Sequence, residues 1–149
     1  MDQATEKVVL DIIDKSKDLT LATVRPDGYP QATTVSYAHD GLAIYVGIGK
    51  NSQKAENIRR NNKVSLTINN DYQDWAHIKG VSMGAHADLV DDPGEIRHAV
   101  DCMLQRFPEV NEWMQAETSV DMAFLKITPE VISILDYEKG FGHTDLVTV

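Results

Sequence analysis

One cysteine in 149 residues, Cys102, leaves no partner for an intrachain disulfide and no thiolate cluster for zinc, so packing has to hold the fold together. Basic residues are also in short supply: 14 Lys and Arg against 23 Asp and Glu give a net charge of -9. Sequence-independent nucleic-acid binding needs cations to neutralise phosphates, so this balance argues against it, while a local basic patch could still serve a small phosphorylated ligand. No apolar run approaches the roughly 18 to 20 residues of a membrane-spanning helix, and the start MDQATEKVV has neither the basic opening nor the apolar stretch of a secretory signal. A soluble, cytoplasmic protein without a membrane partner is expected. Repeats, low-complexity tracts and interdomain linkers are missing too, and the length suits one domain, 1–149, with a sizeable core.

What is present is mostly strand signal. Val8, Val9, Ile12 and Ile13 form one stripe over residues 5–17, which predicts an amphipathic helix. The period then changes. Leu19 to Arg25 predicts a strand, Pro26-Asp27-Gly28 a turn, and Gln31 to Ala38, heavy in β-branched residues, the return strand. His39-Asp40-Gly41 reads as a second turn into a strand Leu42 to Ile48, where Leu42, Ile44, Val46 and Ile48 face the core and Ala43, Tyr45 and Gly47 a smaller, partly polar side. Ser52 is the N-cap of a short helix through about Asn61, with Ala55 and Ile58 inward. Strands follow at Lys63 to Asn69 and at about Ala76 to Val90, where Gly80 and Gly84 suggest a bulge or bend. Asp92-Pro93-Gly94-Glu95 starts a helix striped by Ile96, Val100, Met103, Leu104 and Phe107, and a shorter helix covers Val110 to Ala116. Two last strands, Met122 to Thr128 and Val131 to Tyr137, are expected to join at Pro129-Glu130, before a Gly-rich tail from Gly140 to His143. The fold class is mainly β: a small antiparallel barrel with peripheral helices.

Chemistry is concentrated at the strand-to-helix turn Gly47 to Lys54. A helix N-terminus offers unpaired N–H groups and partial positive charge; Ser52 adds a hydroxyl, and Lys50 and Lys54 add ammonium groups, a set suited to a phosphate monoester. The same segment also reads as an ordinary Ser-capped helix with solvated lysines. Thr33-Thr34-Val35-Ser36 could hydrogen-bond the edge of a flat heterocycle, although Thr and Val are simply what strands prefer. The histidines at 39, 77, 86, 98 and 143 show no ligand spacing, so no metal is assigned. Cys102 falls beside an amphipathic stripe as a buried, inert thiol, and Trp75, Trp113 and Phe141 suit core or interface positions. No catalytic side chain is assigned.

In order, Leu21-Ala22-Thr23-Val24-Arg25-Pro26-Asp27-Gly28, the Thr-rich strand, Ile44-Tyr45-Val46, Ser52-Gln53-Lys54-Ala55-Glu56-Asn57-Ile58-Arg59-Arg60-Asn61, Lys63-Val64-Ser65-Leu66 and Lys79 to Val90 resemble the pyridoxamine 5′-phosphate oxidase-like family of flavin-binding split barrels. The resemblance implies a split-barrel homodimer with FMN in grooves at the subunit interface. It implies that Ser52, Gln53 and Lys54, with Lys50 close by, hold the phosphate, that Thr33, Thr34, Val35 and Ser36 lie along the isoalloxazine, and that Val46 and Gly47 border it. Lys79, Trp113 and His143 are the implied contributions of the partner subunit. Relatives of this size bind FMN, a deazaflavin or haem. The implied activity is that of an FMN-dependent oxidoreductase or flavin reductase-like protein acting on a small molecule, with NAD(P)H as a candidate donor; a deazaflavin-dependent reductase or a non-catalytic flavin- or haem-binding protein is the alternative. The vitamin oxidases themselves carry an Arg and a Lys at positions that match Pro30 and Val35, and arginines in a C-terminal segment where this chain has only Lys139 beyond residue 126. Those departures argue against oxidation of a phosphorylated vitamin.

Overall fold

The computed structural model describes residues 1–115 and 121–149; for 113–115 it describes the backbone alone. Helix α1 (Gln3–Lys15) is capped by the Asp2 carboxylate, which accepts from the Thr5 N–H at 2.7 Å, and it buries Val9, Ile12 and Ile13. Strands β1 (Asp18–Val24) and β2 (Pro30–Ser36) form a hairpin about Gly28, whose φ of 84° explains the glycine. Next come β3 (Ala38–Asp40), β4 (Ala43–Gly49), α2 (Gln53–Arg60), β5 (Lys63–Asn69) and β6 (Lys79–Leu89). The chain ends with α3 (Pro93–Arg106), α4 (Val110–Gln115), β7 (Met122–Asp136) and β8 (Thr144–Thr148). Among the described residues no helix is long and apolar enough to cross a membrane.

The strands make one antiparallel sheet in the order β2-β1-β5-β6-β7-β4-β3, with β8 added to β7. Strands β2 and β3 lie at opposite ends of that path, yet only Tyr37 separates them in the chain. One residue spans about 3.5 Å, so the sheet has to curl until its ends meet. The concave side encloses the core, which includes Leu19, Leu21, Ile44, Val46, Leu66, Ile68, Val81, Met83, Leu125, Ile127 and Ile132, and α1 supplies Val9, Ile12 and Ile13 to it. Tyr37, fully buried, points its hydroxyl at the Ile13 and Ser16 carbonyls at 2.6 and 2.9 Å, which ties the seam to the end of α1.

Several expectations need correction. The anticipated strands at 122–128 and 131–137 are one fifteen-residue strand, β7, that pairs with β6 from Leu125 to Asp136. Pro129 makes no turn. The register shifts between Gly84 and Ala85, opposite Val131 and Pro129, so Glu130 is the extra residue of a bulge, and Pro129 stands where a missing N–H costs little. Gly84 thus marks the bulge, whereas Gly80 marks a close approach: a Cβ there would lie 2.9 Å from the Ile68 carbonyl oxygen. The closing hairpin is instead β7–β8, turning through the Gly-rich segment, where Gly140 and Gly142 have φ of 143° and 72°. Residues 75–77 form a 3₁₀ turn before β6. His39 and Asp40 belong to β3, and Leu42 lies in the turn before β4. The other side of β4 is no open polar face: Tyr45 is buried there, its ring meeting His98 of α3 edge-on, and α3 packs Met103 and Phe107 on Ala38 in a second cluster.

Candidate functional site

Strand β4 ends in two glycines, Gly47 and Gly49, and the loop from Lys50 to Ser52 delivers the chain into α2. That loop is held from three directions: the Lys50 N–H donates to the Asp121 carbonyl (2.8 Å), Arg59 Nη2 donates to the Lys50 carbonyl (2.8 Å), and the Ser52 N–H donates to Gly49 (3.0 Å). Ser52 caps α2 as expected; its Oγ accepts from the Ala55 N–H at 3.3 Å. Lys54 is half-buried and its Nζ donates to Thr33 Oγ1 on β2 at 3.0 Å. Among the described residues no carboxylate pairs with it. A partly desolvated ammonium with only a neutral hydroxyl for company, beside the N–H groups of a helix end, attracts an anion.

Beneath this lies a buried polar cluster that a stripe-based reading of α2 overlooks. Asn57 is fully buried; its Nδ2 donates to Thr23 Oγ1 on β1 (2.9 Å) and to Gln31 Oε1 on β2 (3.1 Å), while its Oδ1 accepts from Gln53 Nε2 (2.9 Å). The signal in the sequence was a poor helix former placed between Ala55 and Ile58 on the inward arc, where an apolar residue would satisfy packing more simply.

The expected site residues divide. Ser52, Gln53, Lys54 and Thr33 come together where α2 meets β2, and Lys50 lies in the exposed loop before the helix. The Thr-rich strand presents two faces: Thr33 and Val35 turn inward with Gln31, and Thr34 and Ser36 face out, Ser36 donating to Asp18 at 2.9 Å. A flat ligand on one face meets only one of these pairs through side chains. Val46 is fully buried in the core, and a Cβ at Gly47 would touch Met122 and Phe124, so neither offers a side-chain surface. Lys79 pairs with Glu138 (3.1 Å) and His143 with Asp145 (3.1 Å), near Phe141, whose ring lies tilted against Trp75 and edge-on to Tyr137. In one chain those two residues sit beyond the far end of β5, a strand of about 20 Å, from the α2 loop. Trp113 lies in α4, and its side chain is outside the described residues. Arg59 pairs with Glu56 (2.9 Å) as well as holding Lys50, and Arg60 borders a groove with Asn61, Asn62 and Asp88 at the opposite end of α2.

Each histidine contacts a carboxylate: His39 with Asp14, His77 with Asp74, His86 with Glu130, His98 with Asp40, His143 with Asp145. The described residues hold no cluster of three metal-ligating groups. Burial, with Asp40 and Asp101 nearby, pushes the Cys102 thiol above its ordinary value, away from a reactive thiolate.

Comparison with known proteins shows the family and the fold. A profile of the family described as pyridoxamine 5′-phosphate oxidase matches residues 5–136. General stress protein 26 of Bacillus subtilis (strain 168) is 27% identical over 134 residues, 90% of each chain. The crystal structure of a conserved hypothetical protein, Rv2991, from Mycobacterium tuberculosis is 26% identical, with a TM-score of 0.78 over 97% of this chain and 91% of that one. A heme binding protein from Mycobacterium smegmatis shares the fold, with a TM-score of 0.81 over 99% of this chain at 17% identity; the chain spans 59% of that longer protein.

Proposed function

The chain belongs to the pyridoxamine 5′-phosphate oxidase family, and on that premise we propose that it binds FMN, phosphate end against α2, and works as an FMN-dependent oxidoreductase or flavin reductase-like protein in a homodimer. The observation that carries the reading is Lys54: a half-buried ammonium, unpaired with any described carboxylate, between the N-terminus of α2 and the hydroxyl of Thr33. This donor set fits a phosphomonoester. Ser52 and the first N–H groups of α2 would donate to it, Lys54 would balance its charge, and Lys50 would add long-range attraction. When bound, the flavin supplies the hydride or electron transfer, so the protein's own part would be to bind and orient it.

Oxidation of a phosphorylated vitamin is not part of the proposal. Pro30 opens β2 and Val35 packs on the core, so neither position offers a cation, and Lys139 is paired with Asp145 at 3.4 Å. The substrate is instead a small molecule whose recognition does not depend on cations there, with NADH or NADPH as donor.

Titration with FMN and riboflavin tests the site. Changing Ser52 and Lys54 to Ala together should weaken FMN about ten- to a hundred-fold, the scale of lost charge-assisted hydrogen bonds, and riboflavin far less. Equal losses for both ligands would refute the placement. Anaerobic bleaching of the flavin band by NADH or NADPH would separate turnover from storage.

A haem-binding module is the second reading, favoured by the Mycobacterium smegmatis heme binding protein, which has the same fold. Here a histidine could ligate iron through the ring nitrogen that its carboxylate does not engage, as at His77, whose Nδ1 meets Asp74. A Soret band that saturates at one haem per subunit, with no FMN uptake, would establish it.

A further inference from the structure

Asn57 does more than fill space. Its carboxamide uses both protons and accepts one more, joining α2, β1 and β2 at a single group. Thr23 and Gln31 are directly paired across the β1–β2 ladder, so the amide grips both strands at one rung. Two residues along β2, on the same inward face, Thr33 receives Lys54. Lys54 and Asn57 are three residues apart and share a face of the helix, as Gln31 and Thr33 share a face of the strand. The helix is therefore seated on the strand at two points, which sets its rotation as well as its distance.

The amide is also neutral. A carboxylate of the same shape could accept but not donate, so both strand contacts would have to reverse, with the Thr23 hydroxyl and a flipped Gln31 amide as donors. It would in addition place a negative charge one turn from the Lys54 ammonium and supply internally the anion that this ammonium lacks. Leucine would keep the packing and strand the polar groups of Thr23, Gln31 and Gln53.

Resting on the FMN reading above, we propose that Asn57 is the positioning residue of the phosphate site: by seating α2 on β2 through a neutral group, it sets the preference for a phosphorylated ligand over its dephosphorylated counterpart. It does not itself touch the ligand.

The test compares FMN with riboflavin affinity, alongside thermal unfolding, in the unsubstituted protein and in Asn57→Asp, Thr23→Val and Thr23→Ser. Asn57→Asp should reduce the FMN-over-riboflavin preference about tenfold or more, the scale of one charge-assisted contact. Thr23→Val, which removes the hydroxyl acceptor at nearly constant volume, should lower the preference in the same direction, and Thr23→Ser should retain it. A purely structural role would lower the unfolding temperature and leave the ratio intact. If Asn57→Asp does not fold, the Thr23 pair decides: equal ratios in Val and Ser overturn the proposal. A wild-type preference that survives in Asn57→Asp overturns this role alone, whereas a wild-type protein with no preference removes the phosphate site and the role with it.

Discussion

Tyr37 carries two duties at one residue, since it bridges the ends of the sheet and reaches the carbonyls that end α1. Arg106 of α3 lies 4.8 Å over its ring and donates from Nη2 to the Ile13 carbonyl at 3.2 Å, so a cation also faces the negative end of that helix. Burial raises the tyrosine from its ordinary value of 10.0 to about 12, with Arg106 opposing the rise. The neutral form is thus the one the fold accepts. Below pH 10 both folded and unfolded chains hold the proton and the full stability is present; between 10 and about 12 the unfolded chain loses it first, and stability falls. Tyr37→Phe should cost about 1–3 kcal/mol at neutral pH, because it removes the donor of the Ser16 carbonyl and leaves Ile13 with Arg106 alone, and it should flatten that alkaline decline in denaturant titrations. An unchanged alkaline limb would show that another group controls it.

Strand β6 makes the case at the scale of the element, because its two glycines look alike in sequence and differ in surroundings. At Gly80 a Cβ would stand 2.5 Å from Asn69 Oδ1 and 2.9 Å from the Ile68 carbonyl of β5, whereas at Gly84 nothing lies within 4 Å. Gly80→Ala should therefore destabilise by about 1–3 kcal/mol, the usual cost of forced displacement, and Gly84→Ala should stay within about 0.5 kcal/mol of wild type; chemical unfolding of both variants checks the contrast. The same strand shows what sequence could and could not announce. Period-2 patterning in Val64, Leu66 and Ile68 and the caps at Ser52 and Asp92 are local signals, and the elements they marked are present. Pro129 misled because proline signals a turn by its own geometry, while the bulge that accommodates it depends on a partner strand more than forty residues away. Strand β8 gave no periodic signal, since its inward positions are Asp145 and Val147. At the candidate site, Ser52 and Lys54 were legible from capping and charge. Asn57 was not, because its worth rests on Thr23 and Gln31, which only the fold brings to it.

At the scale of the whole molecule, the surplus of acid is not idle surface charge. All five histidines sit against carboxylates, and three of the pairs link separate elements: His39 of β3 to Asp14 of α1, His98 of α3 to Asp40 of β3, and His86 of β6 to Glu130 of β7. The α2 loop is an exception to this acidity, and Lys79, His143 and the exposed rings of Trp75 and Phe141 stand apart from it in one chain. A homodimer that completes the site should run at twice 16.6 kDa in light scattering, and an obligate monomer with full FMN occupancy would contradict that arrangement.

The sheet's strand order also dictates an order of assembly. Hairpins β1–β2 and β3–β4, joined through Tyr37, occur early in the chain, yet the strands that belong between them, β5, β6 and β7, are made later. Until β7 is available, β4 has no neighbour linking it to β6, and the future barrel exists as two unconnected ribbons sharing a hinge. Closure therefore waits on the middle of the sheet, with long loops ordered before contacts reward them, a topology that slows folding. A nascent chain halted before residue 122 would hold every strand of the site except the one that brings its two halves together.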